Sequence, residues 1–232
     1  MGNWSAITPE SGTNLVLNPS FENNVTDGWS FDGKTAGTRT QYTSDSLFGR
    51  ASCQLLQATG GGSIALTQAI AVTGGSAYTF SVYAKNIDLV TVPYLELLEN
   101  DGSATVTDFN VTALSTTAWT RYSVTVTMQA GTTSVSVRVR CAENATAKSF
   151  LVDGVVFEAK SYTTTYMDGD QSGCTWTGAK HNSTSTRSAQ SAKGGKVVDI
   201  DSTYGVTTML MAGVGMPPVV HNFTEAALLP GG

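Results

Sequence analysis

From Ala51 to Glu158, apolar and polar positions repeatedly alternate with a period of two, the mark of strands that turn one face to a core. In Tyr78–Lys85 the apolar face is Tyr78, Phe80, Val82 and Ala84, against Thr79, Ser81, Tyr83 and Lys85. The same count turns Tyr122, Val124, Val126 and Met128 inward in Trp119–Met128. In Ser134–Cys141 it sets Val135, Val137, Val139 and Cys141 against Ser134, Ser136, Arg138 and Arg140. Ala51–Gln57, Ser63–Val72, Val90–Leu98 and Phe150–Glu158 are further β-rich runs, and Gly74-Gly75 marks a turn between two of them. Asn14–Glu22 reads as a short strand stopped by Asn18-Pro19, with Asp27-Gly28-Trp29 as the turn after it. About seven to nine short strands at this spacing predict an all-β protein, an antiparallel sandwich.

The pattern lapses at both ends. Residues 1–13 are a polar lead containing Pro9 and Gly12, with Trp4 and Ile7 as docking side chains, and read as an N-terminal arm. Tyr166–Arg187 mixes aromatic, acidic, glycine and hydroxyl residues without a period, as expected of a long loop or a strand-loop-strand arm. Lys196–Ile200, Val206–Met211 and the run from Gly213 to Val220 are apolar pieces cut by Gly and Pro, too short to bury a core alone. The sequence therefore divides into an arm (1–13), a sandwich (14–160) and a β-rich loop and extension (161–232) serving assembly.

Composition narrows the classes. Only 13% of residues are charged and the net charge is −5, so no basic footprint for nucleic acid exists. No apolar run is long enough to cross a membrane as a helix. The N-terminus lacks the basic and apolar regions of a secretory signal, and three widely spaced cysteines suggest free thiols, which together lead us to expect synthesis in a reducing cytoplasm. His181 and His221 belong to no hydrolase or nucleotide-binding motif, so we expect no catalytic residues and no enzyme activity.

Asn14-Leu-Val-Leu-Asn-Pro-Ser-Phe-Glu22, Gly28-Trp29 and an Asp directly before the closing run Gly154–Glu158 carry a resemblance. Over residues 14–160 the chain resembles carbohydrate-binding modules of families four, nine and twenty-two, which implies a galactose-binding-like jelly roll. The resemblance also implies that Glu22 and Asp153 share a structural Ca2+; by their own chemistry the two carboxylates serve equally well as acceptors for backbone N–H groups at strand ends. It places Trp29 and Trp119 as packing residues. Sugar recognition needs an aromatic platform flanked by polar groups, and the outward count offers Tyr83, Tyr94, Glu96, Arg138 and Arg140 if their strands share a sheet; the alternative is a solvated sheet face.

A second resemblance rests on Asp168-Gly-Asp170, Trp176-Thr-Gly178, His181 and Ser183–Arg187. This segment resembles minor tail proteins of long-tailed bacteriophages. It implies a virion tail protein made in the host cytoplasm, assembled as a homo-oligomer with other tail proteins, and displaying a sandwich that touches host surface glycans. Trp176, His181, Arg187 and Met216 are the expected contact residues, with burial of Trp176 against the sandwich as the alternative; Asp168 and Asp170 are expected as solvated acids of a Gly turn, with cation binding as the alternative. The alternatives are a module of a polysaccharide-active protein and a purely architectural virion protein.

Overall fold

The computed structural model describes residues 10–33, 37–60, 62–88, 93–100, 105–110, 114–141 and 147–188, together with the strands within 206–224. In chain order the strands are β1 (Gly12–Asn14), β2 (Ser30–Asp32), β3 (Gly37–Tyr42), β4 (Ser52–Gln57), β5 (Ile64–Ala71), β6 (Ala77–Asn86), β7 (Pro93–Glu99), β8 (Thr105–Asn110), β9 (Thr120–Thr127), β10 (Ser134–Cys141), β11 (Lys148–Glu158), β12 (Cys174–Trp176), β13 (Ser185–Arg187), β14 (Val206–Met211) and β15 (Val219–Thr224). No helix occurs among the described residues. The protein is an all-β antiparallel jelly-roll sandwich.

Two five-stranded sheets make the sandwich: sheet I, in the order β2-β5-β10-β7-β8, and sheet II, in the order β3-β4-β11-β6-β9. The alternating residues meet between them. Tyr78, Phe80 and Val82 from β6, Val135, Val137 and Val139 from β10, and Leu95 and Leu97 from β7 all belong to one buried cluster. Removing such side chains from water is the main favourable term in folding, at roughly 1.5–3 kcal/mol for each fully buried one. Trp29 is core, its indole tilted against Phe21 and its Nε1 donating to the Asn18 carbonyl at 3.2 Å. Trp119 is half-buried and donates to Asp45 at 3.0 Å.

The first strand departs from expectation. It ends at Asn14, and residues 17–20 bend and turn where the strand was expected to continue. Inward-facing Gln68 of β5 supplies what a neighbouring strand would have supplied: its side chain accepts from the Leu17 N–H at 2.8 Å and donates to the Leu17 carbonyl at 3.1 Å. Asn18 and Phe21 both take positive φ, at 49° and 59°, and so bend the segment over the end of the sandwich. Strand β3 is absent from the sequence-based expectation, because an edge strand reading Gly-Thr-Arg-Thr-Gln-Tyr has no apolar face to betray it.

The Glu10–Ser188 region is one compact unit, so the sequence-based boundary at residue 160 cuts through it. The strand β11 explains why. A register shift between Asp153 and Val156, centred on Gly154 at φ 56°, keeps Phe150, Val152, Val155 and Phe157 inward. The outward residues Leu151, Asp153, Val156 and Glu158 are nevertheless at most 2% exposed. Residues after 160 help to bury this outer side. Thr164 donates its N–H to Glu158 at 2.9 Å, and the Thr164 carbonyl accepts from Arg121 of β9. Asn14 donates to the carbonyls of Val155 at 2.9 Å and Met167 at 3.1 Å while accepting the Phe157 N–H at 3.1 Å. The third sheet, β1-β13-β12, then ties the N-terminal strand to the segment beyond 160. In a separate unit, β14 and β15 pair antiparallel, with β14 at the expected Val206–Met211 strand, while most of the expected Gly213–Val220 piece lies outside the described residues. Trp4, Ile7, the Lys196–Ile200 run and Met216 lie outside the described residues.

Candidate functional site

Four of the five proposed sugar-binding residues meet on the outer face of sheet I. Antiparallel register sets Arg138 opposite Glu96 and Arg140 opposite Tyr94. Alternation along β7 and β10 turns all four away from the core. Glu96 is 3% exposed, and it can bear that burial because both arginines reach it: Arg138 makes a close ion pair with its Oε2, and Arg140 Nη1 lies 3.4 Å from its Oε1. Arg138 also reaches Asp32 of β2 at 3.2 Å. The Arg140 guanidinium sits 5.9 Å from the centroid of the half-buried Tyr94 ring. A flat ring with fixed guanidinium donors and carboxylate acceptors beside it is the arrangement a pyranose needs, apolar face to the ring and hydroxyls to the polar groups. Sequence reasoning missed Asp32, because a three-residue edge strand shows no alternation that would reveal its facing.

Tyr83 does not join this group. Its strand β6 belongs to sheet II, so its outward side faces the other way. There it packs edge-on to Phe48 at 5.3 Å and under the Arg121 guanidinium at 5.5 Å, while Phe48 stacks on Tyr166 at 3.9 Å. Outward counting identifies the outer side of a strand and leaves its sheet undetermined.

Glu22 and Asp153 both grip the loop of residues 45–51. Glu22 Oε1 accepts from the N–H groups of Arg50 at 2.8 Å and Ala51 at 3.0 Å. Asp153 Oδ2 accepts from Leu47 at 2.8 Å and Phe48 at 2.9 Å, and its Oδ1 from Gly154 at 2.7 Å. Burial pushes the Asp153 carboxyl up to about 7, against the pull of those three amides and with the Glu22 charge adding to the rise. Lone pairs that point at five amide hydrogens do not point at a cation, and no cluster of three His, Cys, Asp or Glu exists among the described residues. In this arrangement the two carboxylates serve as caps for five backbone amides, the role their own chemistry equally allows. Chelation is accordingly expected to leave the melting temperature unchanged; a fall in it on adding EDTA, restored by Ca2+, would reinstate the ion.

A family model described as a carbohydrate binding domain matches residues 13–146. The chain belongs to this family. A search of curated proteins finds no match. Among solved structures, the enzymatically active domain of bacteriophage CBA120 tailspike protein 4 is similar at 18% identity and a TM-score of 0.50, over 62% of this chain and 21% of that one. A family 16 carbohydrate-binding module is similar at 18% identity and a TM-score of 0.49, over 62% of this chain and 99% of the module. The C-terminal family 22 module of Clostridium thermocellum Xyn10B is similar at 18% identity and 0.48, over 62% and 93%. The tailspike domain shares the fold.

The segment Tyr166–Arg187, the C-terminal arm, therefore lies outside the matched residues. Arg187, expected at an intermolecular contact, is only 6% exposed and bonds within the chain instead, its Nε donating to the Glu10 carbonyl at 2.7 Å and its Nη1 to Thr165 Oγ1 at 2.6 Å. Asp168, expected in solvent, is 3% exposed and accepts from Tyr166 Oη at 2.8 Å and the Asp170 N–H at 2.8 Å. The half-buried Trp176 donates from Nε1 to Asp170 at 3.1 Å, and its edge meets His181 at 5.1 Å between ring centroids. Its indole occupies the space over Gly169 that any side chain there would need. Burial alone would raise the Asp170 carboxyl, but hydrogen bonds from Lys180 and Trp176 and the nearby His181 hold it below the usual range.

Proposed function

We propose that the chain is a non-enzymatic tail component of a virion, whose carbohydrate-binding domain holds host surface glycans on the outer face of sheet I. The observation that carries the glycan reading is the Tyr94–Arg140–Glu96–Arg138 group, in which an aromatic ring and polar groups of both signs are fixed by one another before any ligand arrives. Preorganisation of this kind lowers the entropy cost of binding. The tail reading rests on the resemblance of Tyr166–Arg187 to minor tail proteins and assigns the region beyond 188 to contacts with copies of the chain and with other tail proteins. The tailspike similarity contributes the fold alone.

The test is binding of the purified chain to a panel of bacterial surface polysaccharides and neutral plant polysaccharides. Tyr94→Ala and Arg140→Ala are each expected to weaken glycan binding by about tenfold or more; Tyr94→Ala keeps the melting temperature, since its ring stands outside the core, whereas Arg140→Ala also lowers it, because the buried Glu96 loses one of its two cationic partners. A panel without a binder, or binding indifferent to both substitutions, would leave the architectural reading of the sandwich in its place.

A further inference from the structure

A concavity opens between the matched domain and the segment Tyr166–Arg187. It has a volume of about 450 Å3 and is lined by Glu22, Asn23, Arg50, Asp170, Lys180 and His181. That volume lies within the usual range for small-molecule sites and far exceeds what a single inorganic anion fills. We infer that this cleft is a second ligand site, distinct from the sheet I face, which takes an acidic sugar residue through its carboxylate.

The distribution of charge argues for an anion. Formally the walls carry two carboxylates and two cations, but they are not equally available. Glu22 has an 11% exposed side chain, and its Oε1 is taken up by the Arg50 and Ala51 amides. Asp170 accepts from the Trp176 indole and is paired with Lys180 at 3.0 Å and His181 at 3.5 Å. The cations stand outward: the Arg50 side chain is 78% exposed and that of Lys180 63%. Arg50 gives Nη2 to the Glu22 carbonyl at 3.2 Å and lies through Nε 3.6 Å from Glu22 Oε2, which anchors the guanidinium and leaves Nη1 without a partner among the described residues. A planar fork anchored on one side and open on the other suits a carboxylate, and the exposed Lys180 ammonium, paired with Asp170 through one of its three donors, has the others for the same ligand.

His181 supplies an independent sign. Its side chain is 10% exposed and its Nδ1 is buried with no hydrogen-bond partner. Its backbone holds a φ of 58°, a conformation that costs a non-glycine residue energy and that the Trp176 contact and the Asp170 pair help to fix. The orphaned nitrogen and the left-handed backbone make this histidine costly as mere packing, and its imidazole stands in the wall opposite the open guanidinium, where a bound ligand would alter its surroundings. The site needs both parts of the chain, since Glu22 and Arg50 come from the matched domain and Asp170, Lys180 and His181 from the arm beyond it.

The experiment titrates the full chain with a glucuronate-containing tetrasaccharide, a neutral glucose tetrasaccharide, free glucuronate and acetate, reading the imidazole resonances of His181 and the affinity. The acidic tetrasaccharide and free glucuronate are expected to shift those resonances, with acetate weaker and the neutral sugar silent. Arg50→Gln and Lys180→Met are each expected to weaken the binding reported by the His181 resonances about tenfold. Arg50→Gln keeps the backbone amide that caps Glu22, so the fold is preserved. Silence of His181 toward all four probes, an equal response to the neutral sugar, or full affinity in Arg50→Gln would overturn the inference. None of these results touches the sheet I reading, which is measured by its own variants at Tyr94 and Arg140.

Discussion

Asp153→Ala is expected to lower the unfolding free energy by on the order of 3–6 kcal/mol, because it strands the amides of Leu47, Phe48 and Gly154, each worth roughly 1–3 kcal/mol when left without an acceptor in the interior. Gly154 cannot relax toward an ordinary conformation to help. Its φ of 56° is set by the register shift in β11. Asp153→Asn separates geometry from charge. In the folded chain burial pushes this carboxyl up to about 7 from an ordinary 3.8. Below about pH 4 both states carry the proton and the contribution to stability is complete. As pH rises toward 7 the unfolded chain loses a proton that the folded chain keeps, so the unfolded state binds fewer protons and stability falls. The wild-type chain should therefore lose a few kcal/mol relative to Asp153→Asn between about pH 4 and pH 7, at a slope of roughly 1.4 kcal/mol for each pH unit crossed. Urea denaturation of both proteins at several pH values across that window measures it. Parallel pH profiles would mean that Asp153 does not titrate there.

Much of the sandwich was legible because its strands obey one rule. Wherever one face is buried and the other wet, alternation exposes both the strand and its facing, as at Tyr78–Lys85 and Ser134–Cys141. It also identified Tyr94, Glu96, Arg138 and Arg140 as outward, and register then made them neighbours. Three features escaped for physical reasons. Pairing between sheets is a property of topology, so nothing local separates the sheet II residue Tyr83 from the sheet I group. Strand β3 is polar on both sides because it lies at an edge. The arm obeys no period because side-chain hydrogen bonds organise it, and a sequence cannot announce that Arg187 will bond to the Glu10 carbonyl, 177 residues away. The charged cleft escaped for a related reason, as its two walls come from segments more than a hundred residues apart and acquire meaning only when β13 pairs with β1.

That pairing sets the second large effect. A chain spanning residues 10–188 is expected to fold by itself, whereas one ending at Lys160 is expected to be insoluble or partly unfolded, contrary to the sequence-based boundary. The shorter chain loses β12 and β13, the fully buried Met167 and the 7% exposed Tyr166. It also uncovers the outer side of β11, where Val156 is fully buried and Glu158 is 1% exposed with Thr164 as its partner. Losing two large side chains and baring a third costs roughly 5 kcal/mol by burial alone, and Glu158 and Arg121 lose hydrogen bonds besides. A domain of this size has only about 5–15 kcal/mol in hand. Arg187→Met gives a milder version, removing the ties to Glu10 and Thr165 while keeping the apolar stem, and should lower the melting temperature by several degrees. Amide spectra and cooperative melting of the two fragments decide the matter. Well-dispersed spectra from the chain ending at Lys160, with a melting temperature equal to that of the 10–188 fragment, would reduce the arm to an ornament on a self-sufficient sandwich, and the cleft at Arg50 and His181 would then have to form on a surface that tolerates its absence.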